Sequence, residues 1–567
     1  MKNEFNIFIR TLALPLFVLA TFLFSFSPWI ILLVKTPPDH IFSGIHWWDS
    51  DYFVYLSFVE NGVRGHLDER FLMNSITSYT AWIHGIYTIS GYILGFLGGL
   101  NSIVIYHIDR FVLGLLFSFL LMFFYQSVFK SKIWTFLGLL FVFWISGFPT
   151  TYQMDSPSFS RYLSWIQQLN IFTRATGLPH YLFSFVFFIP AVWVFVSFRG
   201  PFMKKIIYLV FLTSVFIYAN PVNSLIFYAT LSLYLFLTPV VMVLHKTVKQ
   251  KRFSFRSLVY AVSHMDFVKD VFLTLILFLC NLPLLLYYEK LLTAYPWGEI
   301  SNVFKFFIGN SLITFSDLFL ALGPLALFSF FGIFICLWKV IHSDVQRKWY
   351  IVCIAWVIAQ SGLFLRGNLL GIEQYRFLQG LYYIPMGVLA VESIRFSGKH
   401  LEILSRILFV RISQNIWVGI ITGISFLVTL PTLYVSYGQN LYTYSNLSYF
   451  QSLYFPTKQQ YNAYAFLERN TPFATTVLAG KEASFHIPAL SGNANKLDFI
   501  DKGDIQKHQF FSNNLSFEKA HEYLTKNNIS YIYVGWEERN LGFTGSNNPY
   551  LKSIFKNSEV EVYKVLE

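Results

Sequence analysis

The stretch TLALPLFVLATFLFSFSPWIILLVKTPPDHIFSGIHWWDSDYFVYL, residues 11–56, decides how the rest of the chain is read. Its first half holds about 24 uncharged, apolar residues, enough for a helix to cross roughly 30 Å of hydrocarbon. Lys2 and Arg10 precede it and no small-residue cleavage pattern interrupts it, so it reads as a retained anchor and not as a signal-peptide core. Its second half brings Trp47 and Trp48, aromatics suited to a membrane–water interface, and then two carboxylates, Asp49 and Asp51. Tyr52, Tyr55, Leu56 and Val59 follow at i, i+3, i+4 and i+7, the spacing of one helix face. An acidic pair is thereby predicted at the membrane surface, at the head of a helix.

Outward from this stretch, apolar runs of membrane-crossing length recur near 111–129, 133–153, 181–198, 271–288, 318–338, 349–365 and 415–437. A longer run, 206–244, is broken by Asn220, Pro221 and Asn223 and reads as two helices joined by a tight turn; 377–391 reads as a shorter span. The chain is 55% hydrophobic and 13% charged, against roughly a quarter charged in soluble domains. A water-soluble fold cannot bury that much apolar surface.

The formal charge of +12 is spread over short loops, which makes it a topology signal and not the continuous basic stripe of a nucleic-acid binder. Lys130 and Lys132, Arg199 with Lys204 and Lys205, Lys246–Arg256, Arg347 with Lys348, and Arg395–Arg411 are predicted to be cytoplasmic, as is the N-terminus. Residues 35–75, 154–177, 289–310, 366–376 and the C-terminal tail then lie outside. The uncharged, Gly- and Tyr-rich segment 76–105, which holds His84, would invert that order if it crossed once, so it is expected to be re-entrant or juxtamembrane. About eleven spans result, in a membrane domain of residues 1–437.

After residue 437 charges return and apolar runs shorten. Helical periodicity at 458–469 and 516–527 and strand-like patches at 475–479, 530–535 and 560–566 predict a small extracytoplasmic α/β domain, 438–567. Cys280, Cys336 and Cys353 fall in apolar runs without paired spacing and read as core thiols. No P-loop, dinucleotide fingerprint, zinc spacing or nucleophile elbow is present.

A carboxylate at the membrane surface can act as general base toward a hydroxyl or hold a divalent ion. The plainer reading of Asp49 and Asp51 is a solvated pair that caps the helix. Two other outside segments carry groups suited to a phosphate. FTRATGLPHYLF, residues 172–183, presents Arg174 and His180; the alternative is a snorkelling arginine and a surface histidine. RGNLLGIEQYRFLQGLYYIP, residues 366–385, places Glu373 and Arg376 three residues apart, where the acid can pair with and orient a phosphate-binding arginine. Glu289 with Lys290 read as interfacial caps, Asp317 as a cavity residue or a helix start, and Asp155, Arg161, Glu299, Glu537, Glu538 and Arg539 as solvated loop charges.

The order of a first span, an outside Asp-Ser-Asp, a Tyr-rich helix ending in Gly62 or Gly65, a Gly-rich juxtamembrane stretch and many further spans resembles the C-type (GT-C) glycosyltransferase superfamily. Its lipid-linked aminoarabinose transferases and protein O-mannosyltransferases have this layout. The tail, with NNISYIYVGWEERNLG at 527–542 and VEVYKV at 560–565, resembles that of uncharacterised bacterial members. The resemblance implies that Asp49 or Asp51 matches the catalytic acid and that a late basic residue lies near a donor phosphate. With the acids outside and no nucleotide motif, the expected donor is a polyprenyl-phosphate sugar and the acceptor a hydroxyl on a glycan, lipid or protein. No cofactor is required for a monophosphate donor; Asp49 and Asp51 could hold Mg²⁺ or Mn²⁺ for a diphosphate. The expected setting is a prokaryotic plasma membrane. Two other classes fit the same residues: a transporter or flippase of a lipid-linked or anionic substrate, and a non-catalytic assembly subunit.

Overall fold

The computed structural model describes residues 2–46, 49–74, 80–149, 171–251, 259, 261–294, 297–298, 314–343, 346–378, 381–408, 411–442, 451–495, 505–545 and 548–566. Trp47, Trp48, Asp155, Arg161 and Glu299 lie outside them. In chain order the helices up to the tail are α1 (Lys2–Val34), α2 (Asp49–Val63), α3 (Gly85–Ser90), α4 (Ser102–Phe129), α5 (Lys132–Phe143), α6 (Ile171–Arg174), α7 (Pro179–Ser197), α8 (Phe202–Ala219), α9 (Val222–Gln250), α10 (Met265–Leu291), α11 (Phe315–Leu322), α12 (Pro324–His342), α13 (Arg347–Arg366), α14 (Gln374–Leu378), α15 (Tyr383–Ile407) and α16 (Gln414–Tyr442). Among the described residues nine of these, α1, α4, α7–α10, α12, α13 and α16, are long and apolar enough to cross a membrane. The chain is an integral, multi-pass membrane protein.

Several boundaries differ from the sequence reading: 318–338 is divided at Gly323 between α11 and α12, and 377–391 becomes α15, which runs on to Ile407. Among its described residues the run 133–153 is helical only in α5, Lys132–Phe143, and residues 145–149 belong to no helix or strand. The 76–105 segment forms α3, continued by a π-helical turn at Gly91–Phe96; twelve helical residues rise roughly 18 Å and cannot cross. The following span then starts at Ser102 instead of 111 and takes in His107, Asp109 and Arg110.

Contacts divide the chain into two compact units. The first comprises Met1–Phe26, Val112–Leu292 and Glu299–Gln439. Within it α15 is buried from Tyr383 through Ile394, the mark of a helix enclosed by others. Tyr125 of α4 donates to Ile384 O at 2.9 Å. Ionisable side chains on these apolar helices meet partners, as the cost of an isolated charge in hydrocarbon requires. Lys348 Nζ lies 2.9 and 2.8 Å from the two carboxylate oxygens of Asp270, which also accepts from Tyr234 at 2.7 Å, joining α13, α10 and α9. Lys339 pairs with Glu392, which accepts from Tyr350 at 2.8 Å, joining α12, α15 and α13. Asn281 bonds Thr213 and Ser214 across α10 and α8, each at 2.8 Å. Cys336 and Cys353 are buried as expected, whereas Cys280 is exposed on α10.

The second unit comprises Ser27–Phe111, Thr293–Gly298 and Asn440–Glu567. Its tail holds α17 (Gln451–Tyr454), α18 (Lys458–Asn470), β1 (Thr476–Leu478), α19 (Lys481–Ser491), β2 (Ala494–Asn495), α20 (Ile505–Phe511), α21 (Phe517–Lys526), β3 (Ile529–Val534), α22 (Trp536–Asn540), β4 (Leu551–Lys556) and β5 (Glu561–Val565). The five strands form one mixed sheet of order β2-β1-β3-β5-β4. β1 runs parallel to β2 and β3, while β5 runs antiparallel to β3, with Tyr531 opposite Lys564, and to β4. Leu478, Phe511, Leu524 and Ile532 centre its core.

The tail, expected as a domain of its own from residue 438, shares this compact unit with the first loop. The reason lies in α2, which is buried on nearly every side between Tyr52 and Gly62 and therefore needs cover all round. One side meets the α3 segment at glycines: a Cβ on Gly62 would sit 2.2 Å from Thr88 O, and one on Gly91 2.1 Å from Val59 O. Another side meets α19, where the Phe53 ring lies 5.8 Å from Phe485 and 4.9 Å from His486. Arg64 donates to the carbonyls of Glu468, Ser491 (2.8 Å) and Thr471 (3.0 Å). Backbone bonds Ile41 N to Pro456 O, Ser43 N to Tyr454 O and Lys458 N to Asp39 O tie the loop to the tail at 2.8–2.9 Å.

Candidate active site

Asp49 heads α2, and Asp51 stands exposed on its first turn. The side chain of Asp49 lies outside the described set. Behind Asp51 the wall is aromatic and buried. Tyr52, fully enclosed, donates to Ser43 O at 2.7 Å. The loop passes close because residue 44 is glycine: its φ is +85°, and a Cβ there would meet His107 Nε2 at 2.6 Å and Tyr52 Oη at 2.7 Å. The His46 ring lies 5.8 Å from Tyr52, 5.5 Å from Tyr106 and 5.7 Å from His107. Arg110 Nη1 is 3.4 Å from His107 Nδ1, and Asp51 is within electrostatic reach of Tyr106.

The environment sets the protonation of this cluster. Burial first, then the Arg110 charge and then His107 hold the His46 imidazole neutral, well below the usual range. Neither of its ring nitrogens has a hydrogen-bond partner among the described residues. A neutral imidazole offers one donor and one acceptor. The arrangement combines a solvent-facing carboxylate able to take a proton with a buried guanidinium that keeps the local potential positive.

His46, His107 and Arg110 were not singled out from sequence. HIDR, residues 107–110, carries three ionisable groups within one turn of a span, which is itself a pointer to function. The pointer is hidden when the apolar run is begun at Phe111. Asp109, in the same turn, accepts from Ser90 Oγ at 2.6 Å.

The other candidates lie in the first unit. Arg174 ends α6 with only 1% of its surface exposed, so it is not a snorkelling interfacial arginine. It donates to Val142 O, and its guanidinium stacks over the Tyr383 ring at 4.7 Å. Burial lowers it to about 10, which leaves it cationic at neutral pH. His180, buried at the start of α7, packs on Tyr181 at 4.3 Å and is not a surface residue. Glu373 and Arg376 are brought together, Oε2 to Nε at 3.3 Å, with the acid buried and the arginine partly exposed. Asp317 starts α11, accepting from Thr314 in a capping box.

Two tail acids depart from the sequence reading as solvated charges. Glu538 is 1% exposed and accepts from Gly480 N and, at 2.7 Å, from Gly535 N; Glu537 accepts from Glu482 N at 3.1 Å. The N–H groups freed where strands hand over to helices draw these carboxylates inward. Among the described residues no group of three or more His, Cys, Asp or Glu is placed to hold a metal ion.

No protein-family model matches the sequence, and no curated protein matches it. Solved structures do. The oligosaccharyltransferase of Archaeoglobus fulgidus, solved tethered to an acceptor peptide containing the NVT sequon, aligns over 93% of this chain and 69% of its own, with 12% identity and a TM-score of 0.53. ArnT from Cupriavidus metallidurans aligns over 97% of this chain and 98% of its own, with a TM-score of 0.48 and 11% identity bound to undecaprenyl phosphate, and 0.42 and 10% in the apo state. At such identities it is architecture that is shared. The chain shares the fold of the Archaeoglobus fulgidus oligosaccharyltransferase, and is itself a multi-pass helical membrane protein with a small five-stranded sheet in its C-terminal part.

Proposed function

We propose that the chain is an integral membrane glycosyltransferase that moves a sugar from a polyprenyl-phosphate donor to a hydroxyl on the extracytoplasmic side. The observation that carries this reading is the solvent-facing Asp51 carboxylate on the first turn of α2, set against the buried His46, Tyr106, His107 and Arg110. Asp51 or Asp49 takes the acceptor proton as the hydroxyl oxygen attacks the anomeric carbon. The bond from that carbon to the phosphate oxygen breaks, configuration inverts, and polyprenyl phosphate leaves. Arg376, held by Glu373, and Arg174, with His180, are the residues of the first unit that we assign to binding a phosphate. For a monophosphate donor these cations suffice. For a diphosphate, Asp49 and Asp51 are the residues that would hold Mg²⁺ or Mn²⁺, which would supply charge neutralisation.

The setting is a prokaryotic plasma membrane, with the N-terminus cytoplasmic and the tail outside. The test separates transfer from transport: purified protein is given a radiolabelled synthetic polyprenyl-phosphate sugar with a panel of acceptors, with Mg²⁺, Mn²⁺ or EDTA, and is assayed in parallel for donor flipping in vesicles. Transfer lowered about 10–100-fold by Arg376→Ala supports the reading. Flipping without transfer makes the chain a transporter, and neither activity makes it an assembly subunit.

A further inference from the structure

The end of α2 holds two ionisable groups that the proposed chemistry does not use. Glu60 and Arg64 lie one turn apart, Arg64 N donating to Glu60 O at 2.9 Å. An acid four residues before a base on a helix is the order that ordinarily pairs. Here the two do not. Arg64 spends Nη1 and Nη2 on the tail carbonyls of Glu468, Ser491 and Thr471. Its stem passes over Gly492, where a Cβ would meet Arg64 Cγ at 3.0 Å. Glu60 is 2% exposed, and among the described residues no hydrogen bond reaches its Oε1 and no ion pair joins it to Arg64.

The surroundings of Glu60 favour its neutral form. Ser102, at the start of α4, lies within hydrogen-bonding reach of the carboxyl, but its own hydroxyl proton goes to Ala489 O at 3.0 Å. The Ser102 oxygen is left to accept, so the proton of a Glu60–Ser102 bond comes from Glu60. Across the seam α18 brings a second carboxyl, Glu468, and Tyr461, on which both acids act. Burial first, and then the Glu468 charge, hold the Glu60 carboxyl well above the usual range against the opposing pull of Ser102 and Arg64. On its far side the Arg64 charge acts on His66.

We propose that Glu60 and Arg64 form a proton-operated latch between α2 and the tail. With Glu60 protonated the guanidinium clasps the three tail carbonyls; with Glu60 ionised the carboxylate competes for that guanidinium and the clasp loosens. One cation with two sets of acceptors, chosen by a proton, is a bistable element. A bare carboxylate is costly in a dry seam beside a second acid. It takes Arg64 or water as its partner, and either breaks contacts of the closed form. Because α2 also carries the acidic pair, the latch ties closure of this unit to the acidity of the medium around it.

The experiment follows limited proteolysis of full-length protein in detergent from about pH 5 to about pH 9, the range in which buried glutamates titrate. Cleavage within 451–495 is divided by cleavage elsewhere in the same sample, which removes the pH dependence of the protease. No sugar donor is present, so the result stands apart from the reading of Asp49 and Asp51. In wild type the ratio should rise severalfold with pH. Glu60→Gln, a neutral isostere, should lose most of that rise and stay low, whereas Arg64→Ala should be high at every pH. Glu468→Gln removes the opposing charge and should move the midpoint of the rise to lower pH; it decides alone if Glu60→Gln does not fold. A flat wild-type ratio, an equal rise in Glu60→Gln, or an unmoved midpoint in Glu468→Gln would overturn the proposal.

Discussion

At the scale of single residues, Gly44 and Glu538 make claims that can be measured. Gly44 holds a left-handed backbone against His107 and Tyr52, so Gly44→Ala should cost about 1–3 kcal/mol and lower the thermal midpoint in detergent. An unchanged midpoint would mean the loop is not packed as described. Burial raises Glu538 to about 7, against opposing bonds from Gly480 and Gly535. A carboxyl whose folded value lies above its unfolded one favours the folded state at low pH. Its contribution is whole below the usual carboxylate range and is lost as pH rises through about 7. Stability should therefore fall across that window, and Glu538→Gln should flatten the fall; equal slopes in the two proteins would exclude the protonated buried acid. The acidic pair was legible because it follows a span and heads an amphipathic run. His46 and Arg110 were not, because their proximity is created by the loop folding back over α4 and has no signature in spacing.

At the scale of elements, α2 is the joint on which the second unit depends. Arg64 at its end caps three tail carbonyls. Removing a charged donor that serves several acceptors costs about 2–4 kcal/mol. Arg64→Ala should thus speed limited proteolysis within 451–495 severalfold while leaving cleavage elsewhere unchanged; identical digestion patterns would show that the clamp is dispensable. Elements with strong local periodicity were read correctly from sequence, among them α18, α21, β3 and β5. α19 was not, because Pro488 interrupts its pattern and its hold comes from α2, far away in the chain. β4 was missed because it lies at the sheet edge and shows no clean alternation of burial. The start of α4 was misplaced because charged residues inside a span look like a loop until their partners are seen.

At the scale of the whole molecule, composition foreshadows a many-span chain with a small α/β tail, with about eleven spans expected against nine helices of crossing length among the described residues, but it does not foreshadow the joining of the first loop to the tail. Two exposed positions of that joined unit, Asp39 and Lys552, should react from the same side of the membrane when each is replaced by cysteine and treated with an impermeant thiol reagent in oriented vesicles. Labelling from opposite sides would contradict the shared unit. The central claim is that a carboxylate on α2 performs glycosyl transfer. It is tested most directly by following sugar release from a radiolabelled polyprenyl-phosphate donor with wild type, Asp49→Asn, Asp51→Asn and the double variant, all of matched thermal stability. Transfer by wild type, reduced at least 100-fold in one single variant and in the double, is the predicted result. Equal transfer by all four proteins would contradict it.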